Sequence, residues 1–324
     1  MELLREIAEI LTKRDYFIIL GHIDPDGDCI GSVFALKWGL DILGKKSLVL
    51  LDSPPDDMYD YLEIDNRDYR LFKEFEQVEL NWPEVIFITI DTGDRERLGD
   101  GSKLIGNHLL INIDHHPGNP EYGKINYVDP EMAAAGEIIY DLLNQMNLAI
   151  NRKVGTALAT AIIADTGGLR YQNTTARVYR ILADLIEIGV DTYQINKAIY
   201  GNYSYESVKL KGLVLSTLAL HQNKKIAWIK VEQSALKETG ADINATSGLV
   251  NYPRDIKGVE VGLAFIELEE EKTRVSFRSN NYCPVNEIAA YFGGGGHVRA
   301  AGCIIDRGLK ETIEMVLSKV EEYV

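Results

Sequence analysis

Four short runs of almost unbroken apolar residues punctuate the first third of the chain: Tyr16–Leu20, Ser47–Leu51, Val85–Ile90 and Leu109–Ile113. Between the first two, Ile30–Leu43 has helical spacing. Short, near-continuously apolar strands separated by helices predict a parallel sheet buried on both faces. Further on, Ile138, Ile139, Leu142, Leu143 and Met146 fall on one face of a helix within Met132–Met146. Val154, Leu158, Ala161 and Ile162 continue in a second helix. Met1–Lys13 intersperses Glu2, Arg5, Glu6 and Glu9 among apolar residues, the pattern of an amphipathic helix and not of a signal peptide. The expected fold class is α/β, a parallel sheet covered by helices on both faces.

After Gly189 the pattern changes. Asp191–Leu220 reads as helical and connecting; Ile226–Val231, Val259–Leu268 and Thr273–Ser279 read as strands, and Leu309–Val320 as a closing amphipathic helix. The expected organisation is a catalytic domain over 1–190, a helical linker over 191–224 and a smaller mixed α/β domain over 225–324, facing the first across a cleft. No internal repeat is evident.

Composition narrows the class. A chain of 324 residues with 46% hydrophobic and 26% charged positions has material for two globular cores. Cys29, Cys283 and Cys303 lie far apart, which disfavours a disulfide framework or a thiolate zinc site. No apolar run approaches the roughly 20 residues that a membrane span needs. A soluble cytoplasmic protein without a membrane partner is therefore expected. The net charge of −15 argues against a grip on long duplex nucleic acid, so an anionic substrate must be small or must meet local positive charge. A homodimer stays open.

Chemistry concentrates just after the apolar runs. Gly21-His22-Ile23-Asp24-Pro25-Asp26-Gly27-Asp28 follows the first, and its Pro25 and Gly27 force turns, so His22, Asp26 and Asp28 are expected on a loop at the strand's carboxyl end. Asp91 follows Val85–Ile90 and Asp114-His115-His116 follows Leu109–Ile113; Asp165 ends the helix before Gly167-Gly168. Taken singly, each is ordinary: a strand-end Asp forms a turn or caps a helix. Together they sit where open α/β sheets bind ligands. Imidazoles with carboxylates and no thiolate suit Mn²⁺, Mg²⁺ or Fe²⁺ better than structural zinc. Asp26, Asp28, Asp91 and Asp165 carry the charge that two divalent cations would neutralise.

Near the end stands Gly293-Gly294-Gly295-Gly296-His297-Val298-Arg299. A glycine run alone is a turn or loose loop. With His297 and Arg299 beside it, and Arg278-Ser279-Asn280 leaving a strand upstream, it suits an anion or nucleotide clamp.

These motifs, in this order and over essentially the whole length, resemble the DHH phosphoesterase family, whose name is the Asp114-His115-His116 triplet. The Gly-rich stretch with His297 resembles its associated C-terminal substrate domain. The compact layout is similar to the oligoribonuclease and pAp phosphatase subgroup (pAp is adenosine 3′,5′-bisphosphate). The pyrophosphatases' Ser-Arg-Lys-Lys-type C-terminal motif is missing, and so is the extra length of RecJ-type exonucleases. The resemblance implies two divalent cations, first of all Mn²⁺, with Mg²⁺, Co²⁺ or Fe²⁺ as alternatives. By that resemblance His22, Asp26 and Asp91 hold one cation, and Asp28, Asp91, His115 and Asp165 the other. Asp91 and His116 are the implied catalytic residues, with His116 at the scissile phosphate and Asp114 supporting from behind. Arg278, Ser279, Gly295, Gly296 and His297 are implied to hold the terminal nucleotide.

The expected activity is hydrolysis of small nucleotide phosphoesters: short oligoribonucleotides to nucleoside 5′-monophosphates, and pAp to AMP. A cyclic di-AMP or pApA phosphodiesterase is the alternative within the class. A non-catalytic nucleotide sensor is the alternative outside it, and predicts a lost ligand or a lost His116; neither is lost. A Rossmann-type binding protein predicts a GxGxxG after the first strand, which is not there.

Overall fold

The computed structural model describes residues 2–75, 82–221 and 224–324 and divides into two compact units, Met1–Asn202 and Tyr203–Val324. Met1 of the expected first helix and residues 222–223 of the expected linker lie outside the described residues.

The first unit runs α1 (Glu2–Lys13), β1 (Tyr16–Leu20), α2 (Gly27–Ile42), β2 (Lys46–Leu51), β3 (Tyr69–Leu71), β4 (Ile86–Ile90), α3 (Gly101–Leu104), β5 (Leu109–Asp114), β6 (Ile125–Val128), α4 (Ala135–Gln145), α5 (Arg152–Asp165), α6 (Ala176–Glu187) and α7 (Thr192–Gly201). Its six strands are all parallel, in the order β3-β2-β1-β4-β5-β6. One face packs the larger core with α1, α2, α4 and α5. The other carries a smaller core around Phe72, Phe87, Leu98 and Ile105, closed by 3₁₀ turns and α3. The chain leaves β1 toward β2 on one side and reaches β4 on the other, so the order reverses between β1 and β4. A crevice opens at such a reversal, at the carboxyl ends of the strands.

Two elements differ from the sequence expectation in ways that matter. Helix α2 starts at Gly27 and not at Ile30, because Asp26 caps it: its Oδ1 accepts from the backbone N–H of Asp28 and Cys29, both at 3.1 Å. Asp28 is therefore on the first helical turn and not on a loop. Helix α2 is buried nearly all round, and a Cβ on Gly31 would lie 2.4 Å from the Ala157 carbonyl, so only glycine lets α2 and α5 pack this closely. Helix α7, inside the stretch expected as linker, packs into the first core through Ile195.

The second unit contains α8 (Tyr205–Leu215), β7 (Ala219–Leu220), β8 (Ile226–Val231), α9 (Gln233–Thr239), α10 (Asn251–Arg254), β9 (Val261–Glu269), β10 (Lys272–Ser279), α11 (Val285–Tyr291), β11 (Gly295–His297), β12 (Ala300–Ile305) and α12 (Leu309–Glu321). Its sheet is mixed, ordered β11-β12-β10-β9-β8-β7, with β8 and β9 parallel and the other pairs antiparallel. Strand β10 alternates strictly: Val275 and Phe277 enter the core, while Arg274, Ser276 and Arg278 face the other way.

Candidate functional site

Every sequence-predicted acid and imidazole of the first unit arrives at the β1/β4 crevice. His22 leaves β1; Asp26 and Asp28 stand at the start of α2; Asp91 follows β4; Asp114 ends β5 with His115 and His116 after it; Asp165 is the last residue of α5.

Asp91 lies at the centre. Its Oδ2 is 3.7 Å from His22 Nε2, and its Oδ1 is 3.4 Å from His115 Nε2 and 3.6 Å from His116 Nδ1. The residue adopts φ +57°, a left-handed conformation that Asp tolerates better than most side chains, with its N–H on the Ile113 carbonyl at 3.1 Å. Buried Oδ1 closes no hydrogen bond among the described residues. His22 completes one side of the cluster, with Asp26 Oδ1 at 3.8 Å from Nε2. On the other side His115 Nε2 meets Asp28 Oδ2 at 3.4 Å and Asp165 Oδ2 at 3.7 Å. The ring nitrogens facing away are held by carbonyls: His22 Nδ1 by Ile23 at 2.7 Å and His115 Nδ1 by Met132 at 3.2 Å. A carbonyl only accepts, so His115 carries a proton on Nδ1, and a cation at its Nε2 would take the place of the proton that the surrounding carboxylates otherwise favour there.

His116 is set differently. Its Nδ1 lies 2.8 Å from Oδ1 of fully buried Asp114, whose Oδ2 accepts from Asn119 Nδ2 at 2.6 Å. Burial raises the Asp114 pKa, but His116 and Asn119 outweigh it and hold the group below its ordinary value. Asp114 is thus an ionised acceptor, and His116 must donate from Nδ1.

Burial raises Asp26, but His22 and the N–H groups of Cys29 and Asp28 outweigh it and hold the group at about 2, whereas Asp28, Asp91 and Asp165 feel one another. Burial, then the Asp28 charge, pushes Asp165 up to about 7. Burial also raises Asp28 and, more strongly, Asp91. Burial would lower His115, yet Asp91, Asp28 and Asp165 carry it well above its usual value. A cluster of buried oxygen and imidazole donors that cannot ionise together in water's absence is what a divalent cation relieves. The orphaned Asp91 Oδ1 and the two outward-held imidazoles fit such ions. Triplets Asp91–His115–His116 and Asp28–His115–Asp165 bring their donor atoms within 4.8 Å of one another.

Several supporting residues carried no signal in the sequence. The N–H groups of Ala135 and Gly136, opening α4, donate to Asp28 Oδ2 at 2.6 Å and Oδ1 at 3.0 Å, setting a helix N-terminus against a carboxylate. Glu137 holds that loop by accepting from Ala133 N at 2.8 Å, and Arg177 on α6 pairs with Glu137 at 2.9 Å. Ala-Ala-Ala-Gly reads only as a helix start. Buried Cys29 sits with His22 and Asp91, its thiol pushed up by burial and by Asp91. Arg97 places a guanidinium nitrogen 3.2 Å from His22 Nδ1.

In the second unit, Arg278 pairs in register with Ala300, and Ala300 with His297. Cross-strand partners share a face, so Arg278 and His297 stand in one row across β10, β12 and β11. Gly295 and Gly296 form the exposed outer strand of that hairpin; Gly296 has φ +139°, and a Cβ there would lie 2.5 Å from the Ala300 carbonyl. Ser279 is buried, facing away from Arg278, and its hydroxyl donates to the Cys283 carbonyl at 2.7 Å. Buried Glu260 organises the loop after it, Oε1 accepting from the N–H of Asn281, Tyr282 and Cys283 at 3.0, 2.7 and 2.9 Å.

An all-parallel α/β unit with buried carboxylates and imidazoles converging at its switch point has the site of a metal-dependent α/β protein, fit for divalent cations. Comparison with known proteins makes the class specific. Residues 16–164 match the DHH family, N-terminal domain, and residues 223–324 match the DHHA1 domain. A bifunctional oligoribonuclease and PAP phosphatase from Thermus thermophilus is 32% identical, over 99% of this chain and 94% of its own. The protein of the same description from Bacillus subtilis is 27% identical, over 93% and 92%. Among solved structures, an exopolyphosphatase-related protein from Bacteroides fragilis superposes with a TM-score of 0.93 at 25% identity, covering 100% of this chain and 97% of its own. The chain belongs to the DHH family and is a phosphoesterase.

Proposed function

We propose that the protein hydrolyses short oligoribonucleotides to nucleoside 5′-monophosphates and dephosphorylates pAp to AMP, using two divalent cations, Mn²⁺ foremost. The observation that carries this is Asp91: one carboxylate stands between His22 on its Oδ2 side and His115 on its Oδ1 side. That arrangement suits a carboxylate shared between two ions. His22, Asp26 and Asp91 would hold one; Asp28, Asp91, His115 and Asp165 the other. When bound, such ions supply charge neutralisation for phosphoryl oxygens and Lewis acidity toward water.

The chain's own residues do the rest. Asp114 fixes the His116 tautomer, which makes Nε2 the atom that exchanges a proton or donates a hydrogen bond at the phosphoryl group. The helix N-terminus at Ala135–Gly136 keeps Asp28 oriented and ionisable. Arg278, His297 and the backbone of Gly295 and Gly296 hold the terminal nucleotide, while Ser279 holds the loop beside them. Metals and chemistry thus belong to 1–190, and the hold on the terminal nucleotide to 225–324. The relatives named for oligoribonuclease and PAP phosphatase activity, alike over nearly their whole length, support the substrate class. Three buried free thiols favour the reducing cytoplasm.

The test is a comparison of kcat/KM with Mn²⁺ on pAp, a five-nucleotide RNA, a fifty-nucleotide RNA, pApA, cyclic di-AMP and pyrophosphate. Short RNA and pAp should lead. A preference for pyrophosphate or cyclic di-AMP, or equal constants for the two RNA lengths, overturns the reading.

A further inference from the structure

Just past the end of α5, where Asp165 stands, the first unit has a concavity of about 410 Å³ that none of the roles above uses. It is lined by Gly168 and Arg170 from the turn after α5 and by Tyr193, Asn196, Lys197 and Tyr200 from α7. It is tied to the cluster through the end of α5. The Tyr200 hydroxyl donates to the Ala164 carbonyl at 2.9 Å, one residue before Asp165, and Asn173 Nδ2 donates to the Asp165 carbonyl at 3.1 Å. The wall of the pocket and a carboxylate of the cluster therefore hang on the same helix end.

The chemistry of the lining is unlike that of the site beside it. The Arg170 guanidinium is braced by Nε on the Gly167 carbonyl at 2.6 Å and lies over the Tyr200 ring, 5.0 Å from its centroid. That bracing uses Nε and the π face and leaves Nη1 and Nη2 without a hydrogen bond among the described residues. Lys197 adds a second cation, exposed one helical turn before Gly201. Tyr193 is 72% exposed, a large aromatic ring in water on a helix whose buried contact is Ile195. Gly168, at φ +70°, keeps the floor open: a Cβ there would lie 3.0 Å from Asn196 Oδ1 and 3.2 Å from the Tyr200 ring. Two cations that can pair with phosphate, an exposed ring and an amide together match a nucleotide unit: phosphodiester, base face and base edge.

We propose that this pocket binds the nucleotide next to the scissile phosphate of a short RNA, its phosphodiester on Arg170 and Lys197 and its base against Tyr193. The inference rests on the oligoribonuclease reading and deepens it. It also separates two substrates that the metal centre alone does not. A dinucleotide or longer RNA has a second nucleotide to place here; pAp has none. The pocket is then a device for chain substrates, and pAp hydrolysis proceeds without it.

The experiment uses the full-length protein and Tyr193→Ala, Lys197→Ala and their double variant, leaving Arg170 in place because it braces the turn behind Asp165. With Mn²⁺, the ratio of kcat/KM for a tri-ribonucleotide to that for pAp should fall roughly 5- to 150-fold in Tyr193→Ala, the range for loss of one base-stacking partner. The loss should sit in KM for the trinucleotide. Independently of turnover, fluorescence anisotropy of a labelled phosphorothioate trinucleotide in chelator should show weaker binding to the double variant than to wild type. An unchanged ratio, an equal loss on both substrates, or unchanged anisotropy overturns the pocket assignment. If wild type cleaves neither substrate while the anisotropy difference is present, the pocket stands and the oligoribonuclease reading falls.

Discussion

Asp28, Asp91 and Asp114 in the first unit are at most 2% exposed, while Gly295, Gly296 and His297 in the second stand in water. Both regions are assigned to the same substrate, yet their construction differs. The carboxylate cluster crowds like charges, so that burial and neighbouring carboxylates raise Asp28, Asp91 and Asp165, and it holds them with a helix N-terminus, a left-handed φ at Asp91 and two carbonyl-held imidazoles. Such a site costs stability until cations enter, and in return its donors need no reorganisation. The Arg278–His297 row is built otherwise: Arg278 is half-buried with Nη1 on the Phe277 carbonyl at 2.9 Å, and Gly295, Gly296 and His297 are exposed. Its edge strand can adapt, because an exposed three-residue strand rich in glycine has little packing to lose. On the proposed function, chemistry is clamped and recognition is left adjustable.

That contrast predicts unequal responses to mutation. Asp91→Ala removes the carboxylate between His22 and His115, and hydrolysis should fall by roughly 10³-fold or more. Bound metal, counted by elemental analysis, should drop below that of wild type while circular dichroism is unchanged. Near-wild-type turnover with a full metal complement would break the comparison at its strongest point.

Arg278→Ala should act at a distance. A charge-assisted contact to phosphate is worth about 1.5–3 kcal/mol, so kcat/KM on nucleotides should fall roughly 10- to 150-fold. Metal content should hold, and bis-p-nitrophenyl phosphate, which has no nucleotide to clamp, should suffer far less. Equal losses on both esters would place Arg278 in the reacting centre instead.

Glu260→Gln tests the scaffold behind that exposed row. Burial raises the Glu260 pKa, but the N–H groups of Cys283, Tyr282 and Asn281 outweigh it and lower the group below 4.5. A depressed carboxyl contributes stability that is present above its unfolded value near 4.3 and is lost as pH falls through its folded value. Replacing it should cost about 1.5–3 kcal/mol in urea unfolding at pH 7 and little near pH 2. The same cost at both pH values would show that shape, and not charge, holds the 281–283 loop.

Glu260 also marks where the sequence stopped being legible. The apolar runs gave the four central strands, because buried parallel strands write themselves as continuous hydrophobic stretches. Strands β3 and β6 did not show: β3 has three residues, and β6 is half-exposed along its length. His22, Asp91 and Asp114–His116 were readable because each directly follows such a strand. Glu260 has no neighbour pattern; it gains its role by burial against a loop twenty residues later. The Ala135 and Gly136 N–H groups are backbone donors and have no residue code at all. Asp28 was misplaced onto a loop because Asp26, read as a ligand, is also the cap that starts the helix earlier. Side chains that act through tertiary neighbours leave no local trace, whereas side chains at strand ends do.

The smallest expected effect asks whether the first unit carries the electrostatic cost argued for it. Burial and the Asp28 charge hold Asp165 at about 7 in the fold, against about 3.9 unfolded. A carboxyl with a raised folded value binds more protons folded than unfolded between the two, so metal-free stability should fall as pH rises from about 4 through about 7. Net charge of −15 pushes the same way, so the pH trend alone is not diagnostic. Asp165→Asn separates the two causes, because it removes one charge at the cluster and changes the total by little. In chelator, the variant's first-unit melting transition should lie a few degrees above wild type at pH 8 and coincide with it at pH 4. Adding Mn²⁺ should reverse the order, since wild type gains a cation that the variant holds poorly. The second unit's transition should respond to neither change. A metal-free variant no more stable than wild type at pH 8 would mean that the carboxylates do not strain one another, and that the first unit is no more costly to build than the second.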